Sequence, residues 1–264
     1  MYRKKTASIL LSAVLLMCTG TVHAAVQAEP SPAPAPVPEK KVAFIIDDLG
    51  NNMKGTDDIL SLNVPLTVAV MPFLPSTKRD AELAFKNGHE VFVHMPMEPL
   101  KGNASWLGPG AITSDLSDEE IRERVNKAID DVPHAVGMNN HMGSKVTADE
   151  RIMRVIMEVV KQRGLIYLDS KTNYKSVAAK VAREMGVPYA VNQLFLDDVH
   201  TAAHITKQME KVCFQLRERK ICVAIGHVGS AGKKTASILR QYIPRIQKEA
   251  EFVTVSKLIQ IPFE

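Results

Sequence analysis

Residues 42–50 read VAFIIDDLG, an apolar run that ends in two aspartates and a glycine. Because the run is continuous and rich in branched residues, it predicts a parallel β-strand that is covered on both faces. Two adjacent carboxylates after such a strand have two readings, a turn or helix cap and a functional site. The apolar residues Phe44–Ile46 directly before them disfavour a plain surface turn.

Seven similar runs follow and alternate with amphipathic helical stretches, so the chain is predicted to be an α/β protein. They are Leu66–Met71, Glu90–Val93, Ala135–Met138, Leu165–Leu168, Tyr189–Gln193, Ile221–Ile225 and a weaker Phe252–Val255. Repeated βα units of this number form either a closed barrel or a doubly wound open sheet. The dinucleotide-binding form of the open sheet has no support, since no G-x-G-x-x-G follows the first strand.

Several helix ends can be read from capping residues. Thr147 with Glu150, and Ser117 with Glu120, have the spacing of a capping box, in which a hydroxyl and a carboxylate satisfy free amides of the first turn. Gly164 is predicted to end the helix that follows Thr147, because glycine accepts the left-handed conformation at a helix C-terminus.

Polar side chains stand at the carboxyl ends of most predicted strands. They are Asp47, Asp48, His94, Asn139, Asn140, His141, Asp169, Asn192 and His227. Parallel barrels build their active sites on this rim, from several different strands. The distribution therefore favours a barrel over an open sheet and predicts a site at its mouth.

Four of these residues, Asp47, Asp48, His94 and His141, have the chemistry of a catalytic zinc site. Two imidazoles and one carboxylate fill three positions of a tetrahedral zinc ion and leave the fourth for a water molecule. Such a water is ionised near neutral pH, and a second, unligated carboxylate can serve as general base. For His94 alone, a hydrogen-bonded core histidine is the competing interpretation.

The N-terminal 40 residues are predicted to lie outside the folded domain. Residues 1–24 have the parts of a signal peptide: a basic start, an apolar segment of Ala7–Met17, and the cleavage signal Val22-His23-Ala24. A retained membrane anchor is the alternative. Residues 25–40 form a Pro-rich linker that favours extended polyproline II, and residues 41–264 form the domain. We therefore expect an exported protein, with the periplasm of a Gram-negative bacterium as the preferred compartment and no membrane span after cleavage.

The composition excludes several classes of protein. With 45% hydrophobic and 23% charged residues, the chain is neither disordered, collagen-like nor a polytopic membrane protein. The formal charge is only +4, and Arg3, Lys4 and Lys5 in the leader supply three of these charges. A nearly neutral domain gives no electrostatic case for nucleic acid as a partner.

Cys213 and Cys222 remain after cleavage, and two buried thiols are favoured over a disulfide.

The same segments resemble the motifs of the polysaccharide deacetylases, the NodB-like carbohydrate esterases. The resemblance is closest to the divergent, YibQ-like branch of exported bacterial proteins. The motifs that carry it are IDDLG (46–50), HMPMEP (94–99), NNHMGS (139–144) and LDSKT (168–172), with GHEVFVH (88–94) and AIGH (224–227) beside them. They span about residues 41–262 in the order that the family has.

This resemblance implies a single-domain, deformed (β/α)7 barrel that removes N-acetyl groups from a glycan substrate with a divalent metal, zinc being the expected ion. The implied roles, position by position, are general base for Asp47, metal ligands for Asp48, His94 and His141, and late acid toward the leaving amine for His227. The mainstream family has its second metal histidine at the position of Glu98. Either Glu98 is a ligand or His141 replaces the imidazole, and we favour His141.

The remaining site predictions concern the substrate. Asp169 is expected to orient His227 or to bind substrate together with Lys171, because the mainstream arginine and D-x-x-D-W motifs are absent. Asn140 and Ser144 are further substrate-binding candidates at the tip of the fourth strand. Trp106, the only tryptophan, either stacks on a sugar ring or anchors its loop.

Three functions follow as hypotheses. The first is an exported metal-dependent deacetylase of a polysaccharide or peptidoglycan-type glycan. The second is a catalytically silent cell-envelope protein that binds glycan or protein on the same fold. The third is a metal hydrolase of another class, such as an amidase.

Overall fold

We describe residues 39–259 of a computed structural model of the chain. The predicted leader, and all but the last two residues of the predicted linker, lie outside these residues. Within them, no helix is both long enough and apolar enough to cross a bilayer.

The described chain contains nine strands. They are β1 (Lys41–Leu49), β2 (Thr67–Val70), β3 (Glu90–Met97), β4 (Ala135–Met142), β5 (Ile166–Asp169), β6 (Tyr189–Val191), β7 (Leu194–Phe195), β8 (Ile221–His227) and β9 (Glu251–Phe252). All eight predicted strands exist, and β7 is an additional strand too short to be seen as an apolar run. Strands β1, β3, β4 and β8 extend past their predicted ends, so the polar residues at their tips are held by the sheet itself.

The described residues also contain eight α-helices and two short 3₁₀-helices. The helices are α1 (Thr56–Leu60), α2 (Thr77–Lys86), α3 (Asp118–Asp131), α4 (Glu150–Gln162), α5 (Ala178–Met185), α6 (Ala202–Glu218), α7 (Gly232–Ile246) and α8 (Val255–Ile259), and the 3₁₀-helices are Ala104–Trp106 and Val146–Ala148.

The predicted capping box at Ser117 is confirmed, with Ser117 and Glu120 bonding reciprocally at the start of α3. The predicted box at Thr147 is wrong. The Thr147 hydroxyl donates to the carbonyl of Gly143 at 2.8 Å, and Asp149 caps α4 by accepting from the amide of Ile152.

The parallel strands form one sheet in the order β6-β5-β4-β3-β2-β1-β8-β7, and β9 pairs with the start of β1. The two edge strands, β6 and β7, are consecutive in the chain and are joined by only Asn192 and Gln193. A connection of two residues spans about 10 Å at most, so the sheet must curl until its edges meet. The predicted deformed barrel is confirmed. Its two edge strands, β6 and β7, are not hydrogen-bonded to each other and are connected only by the two-residue segment between them.

Alternation along the strands creates two cores. Val42, Phe44 and Ile46 pack in the large core between the sheet and the helices, whereas Ala43 and Ile45 pack inside the curl. Side chains two residues apart share a face of a strand, so Asp47 continues the inner row at the top of β1. The segment around α8 supplies Val253, Val255 and Leu258 to the inner core, which fills the interior below the mouth.

Cys213 and Cys222 are both buried, free thiols, which confirms the favoured alternative to a disulfide. Burial raises the pKa of Cys222 to about 12. Its thiol donates to Oε1 of Gln215. Both cysteines therefore act as small apolar residues in the outer core.

Candidate metal centre

Asp47 and Asp48 reach the same imidazole although they are adjacent on one strand. The register between β1 and β2 shifts between Ile46 and Leu49, and Asp48 has a left-handed φ of 70°. Such an irregularity re-aims a side chain that would otherwise point to the opposite face. Consequently Oδ2 of Asp47 lies 3.7 Å from Nε2 of His94, and Oδ1 of Asp48 lies 3.2 Å from the same nitrogen.

Asp48, His94 and His141 form a compact triangle of ligand atoms. Nδ1 of His141 lies 3.0 Å from Oδ1 of Asp48 and 3.2 Å from Nε2 of His94. Ligand atoms at about 2.0–2.1 Å from a tetrahedral zinc ion lie about 3.3 Å from one another. The spacing of the three atoms therefore fits a shared cation.

The hydrogen bonding of the cluster supports the same interpretation. Oδ1 of Asp48 is buried and has no hydrogen-bond partner in spite of the two nearby nitrogens. A buried carboxylate oxygen without a partner is costly, and a cation between the three atoms would satisfy it. The donor set of two imidazoles and a carboxylate suits zinc and related divalent ions.

Each histidine of the cluster is held through its second ring nitrogen. Nδ1 of His94 lies 2.7 Å from Oδ1 of Asn139, and Nε2 of His141 lies 3.0 Å from the main-chain carbonyl of Trp106. Both acceptors favour a proton on the nitrogen that faces them. The opposite nitrogens, which face Asp48, then present lone pairs, as metal ligands require.

Asp47 lies beside the cluster as a second, buried carboxylate. Its side chain is only 2% exposed, and its Oδ1 accepts a hydrogen bond from Nδ2 of Asn139 at 2.8 Å. Burial raises the pKa of Asp47, with His94 and His227 opposing that shift. A carboxylate of raised pKa next to a metal-type cluster has the properties of a general base.

His227 stands at the tip of β8, opposite Asp47 in the β1–β8 register. Its Nδ1 donates to Oδ1 of Asp197 at 2.7 Å, and its ring stacks on that of Phe195. Although burial opposes the charged form, the hydrogen bond to Asp197 raises the pKa of His227 to about 9. The imidazolium is therefore the main form at neutral pH and is suited to donate a proton.

Asp169 does not occupy the place expected for it. Its oxygens accept from the main-chain amide of Lys171 at 2.8 Å and from the hydroxyl of Ser176 at 2.7 Å. The partner of His227 is Asp197 instead, whose other oxygen accepts from Thr235. The physical reason is alternation, because Leu168 packs in the inner core and Asp169 consequently faces outward.

Asn140 faces outward for the same reason. Its amide donates to the carbonyl of Met142 and accepts from the amide of Ser170, so the buried side chain is used within the fold. This placement corrects its expected contact with substrate. Ser144 accepts from the amide of Leu100 and thereby joins the loops after β3 and β4.

Of the other predicted site residues, two are exposed to solvent and one is engaged in contacts between loops. The Lys171 side chain is exposed, and Trp106 is 65% exposed above the mouth. Both oxygens of Glu98 are engaged, one by the Lys145 ammonium at 2.6 Å and one by the amide of Ser114 at 2.7 Å. Glu98 is thus part of the loop scaffold, and His141 completes the triangle.

Two residues with central contacts, Asn139 and Asp197, were not assigned roles from the sequence. Asn139 shares the inner row with His141, two positions later, so alternation marks it as a candidate. Asp197 follows the short apolar run Leu194–Leu196, which repeats on a smaller scale the pattern before Asp47.

The amino-acid sequence is similar to a protein-family model and to two bacterial proteins. The family model described as divergent polysaccharide deacetylase matches residues 44–259. An uncharacterised protein of Haemophilus influenzae is 32% identical over 220 residues, covering 83% of this chain and 77% of the relative. The uncharacterised protein YibQ of Escherichia coli K12 is 32% identical over 222 residues, covering 84% and 68%.

A solved structure shares the fold. The crystal structure of an uncharacterised protein from Agrobacterium tumefaciens C58 superposes with a TM-score of 0.77 at 20% sequence identity, covering 86% of this chain and 92% of the other. At that level of identity, the likeness concerns the fold.

Proposed function

The chain belongs to the divergent polysaccharide deacetylase family, and on this premise we propose that it is an exported, metal-dependent hydrolase that removes N-acetyl groups from a polysaccharide or a peptidoglycan-type glycan. The observation that carries the proposal is the convergence of Asp48, His94 and His141 on one point, with Oδ1 of Asp48 buried and unpartnered. Export is proposed from the predicted leader alone.

In this proposal Asp48, His94 and His141 hold the ion. When bound, a divalent metal acts as a Lewis acid that polarises the acyl oxygen and makes a water molecule more acidic. Asp47, adjacent to the ligands but outside the triangle, accepts the proton of the attacking water. His227, held by Asp197, gives a proton to the amine nitrogen as its bond to the acyl carbon breaks, so that acetate and the free amine leave.

The remaining residues position these groups. Phe195 packs against the His227 ring and restricts its orientation. The exposed Trp106 stands at the mouth as the proposed platform for a sugar ring, since aromatic faces pack well against apolar ring faces. Lys171 is the proposed polar contact to the glycan.

The test is release of acetate from N-acetylglucosamine oligomers by the purified protein loaded with zinc, compared with its Asp47→Asn variant. The proposal expects acetate release by the wild type and a loss of at least about 100-fold in kcat for the variant, with zinc retained by both. Acyl-peptide substrates tested in parallel distinguish an amidase. Zinc binding without turnover of either substrate would favour the catalytically silent alternative.

A further inference from the structure

Among residues 39–259, Asn139 is the side chain outside the metal-type cluster that hydrogen-bonds both to a residue of that cluster and to the proposed base. It is fully buried on β4, where it lies opposite His94 in the register with β3. Its Nδ2 donates to Oδ1 of Asp47 at 2.8 Å, and its Oδ1 lies 2.7 Å from Nδ1 of His94. A single amide therefore links a ligand and the base across three strands.

The orientation of this amide follows from the chemistry of its neighbours. An ionised carboxylate can only accept hydrogen bonds, so the NH₂ end of Asn139 must face Asp47. The carbonyl end then faces His94 and can only accept, which requires the proton of His94 to sit on Nδ1. The lone pair of the neutral ring is thereby left on Nε2, the nitrogen that lies in the triangle with Asp48 and His141.

We propose that Asn139 is a positioning residue with two separable effects, one on metal affinity through the tautomer of His94 and one on turnover through the orientation of Asp47. This inference rests on the proposed function. The two effects are separable because the two ends of the amide differ. The acceptor end serves the metal ligand, and the donor end serves the base.

Two substitutions separate the two ends. Asn139→Asp keeps an oxygen toward His94 but replaces the donor toward Asp47 with a second acceptor. Asn139→Ala removes both contacts. The matched control is Asn192→Ala, because Asn192 is also a buried amide with one donated and one accepted hydrogen bond, both to main-chain groups of Ser170 and Leu194.

The experiment measures the affinity of each variant for Zn²⁺ alone, by competition with a chromophoric chelator, and then kcat and KM for the zinc-loaded proteins. Removal of a partner that orients a metal-bound histidine typically costs about 10–100-fold in metal affinity. We expect that loss for Asn139→Ala. Asn139→Asp should retain zinc within about threefold of the wild type or tighter, and lose kcat by at least about tenfold with little change in KM.

The outcomes distinguish this inference from the proposed function. A merely structural role would lower the thermal stability of the Asn139 and Asn192 variants alike and would not produce recovery of zinc affinity by aspartate. Equal zinc affinity of the wild type and Asn139→Ala would overturn the inference while leaving the proposed function in place. Absence of zinc binding by the wild type would overturn the proposed function and this inference with it.

Discussion

The Asp197 carboxylate accepts a hydrogen bond from Nδ1 of His227 at 2.7 Å, joining the segment after β7 to the tip of β8. Asp197 is itself fixed by a hydrogen bond from Thr235 at 2.6 Å and by one from the main-chain amide of His227. These contacts hold a histidine of raised pKa at the mouth of the barrel, opposite the proposed base. The pair is the clearest source of pH dependence in the structure.

Asp197→Asn should move the alkaline limit of activity to lower pH. His227 donates a proton in the proposed reaction, so activity falls as pH rises through its pKa of about 9. Loss of the Asp197 charge removes the interaction that raises this pKa, and we expect the limit to fall by at least about one pH unit. The measurement is the pH profile of kcat.

The control for this change is Asp198→Asn, because the exposed Asp198 is the next residue and pairs with the half-buried His204 instead. Its profile should match that of the wild type. An unchanged alkaline limit in Asp197→Asn would exclude His227 as the acid.

His141→Ala and Glu98→Gln distinguish the two candidates for the third ligand. His141 contributes a nitrogen to the triangle, whereas Glu98 is paired with Lys145. We expect His141→Ala to lower zinc affinity by at least about 100-fold and Glu98→Gln to leave it unchanged. Competition titration with a chelator measures both, and the reverse ranking would assign the site to Glu98.

Trp106→Ala should weaken substrate binding without unfolding the protein. The indole is 65% exposed, so its removal should change the free energy of unfolding by no more than about 0.5 kcal/mol. The carbonyl that accepts from His141 belongs to the main chain and is kept in the variant. We expect KM for a glycan oligomer to rise several-fold at constant kcat, with Trp106→Phe close to the wild type. A large drop in melting temperature would instead identify Trp106 as a loop anchor.

Gly137→Ala should destabilise the inner core. A Cβ at this position would lie 2.3 Å from the Phe92 ring, which fills the interior below the site. Overpacking of this kind costs about 1–3 kcal/mol. Urea unfolding of Gly137→Ala, Phe92→Leu and the double variant gives the coupling between the two positions, and additive effects would contradict the packing argument.

Much of the fold was predictable because its signals are local. Continuous apolar runs such as Val42–Ile46 marked the parallel strands, and polar residues at their ends located the mouth of the barrel. Strand β7 escaped prediction because a run of three apolar residues, Leu194–Leu196, is too short to distinguish from a loop. Asp197, which follows that run, was therefore not connected with His227.

Part of the site was predictable because side chains alternate between the two faces of a β-strand. Counting in twos from Ala43 places Asp47 inside the curl, and the same count from Gly137 selects Asn139 and His141 and rejects Asn140. Asp48 breaks this rule, since only the irregularity after Ile46 brings it to the ligand triangle. A left-handed φ is uncommon for residues other than glycine, and no local sequence pattern predicts it for Asp48.

The most direct test of the proposed metal centre is the zinc-edge anomalous difference map of a crystal grown at neutral pH with excess zinc and no chelator. We expect one strong peak within bonding distance of Oδ1 of Asp48, Nε2 of His94 and Nδ1 of His141, with Asp47 outside the coordination sphere. An empty triangle under these conditions, or a peak bound by other side chains of the barrel mouth, would contradict it.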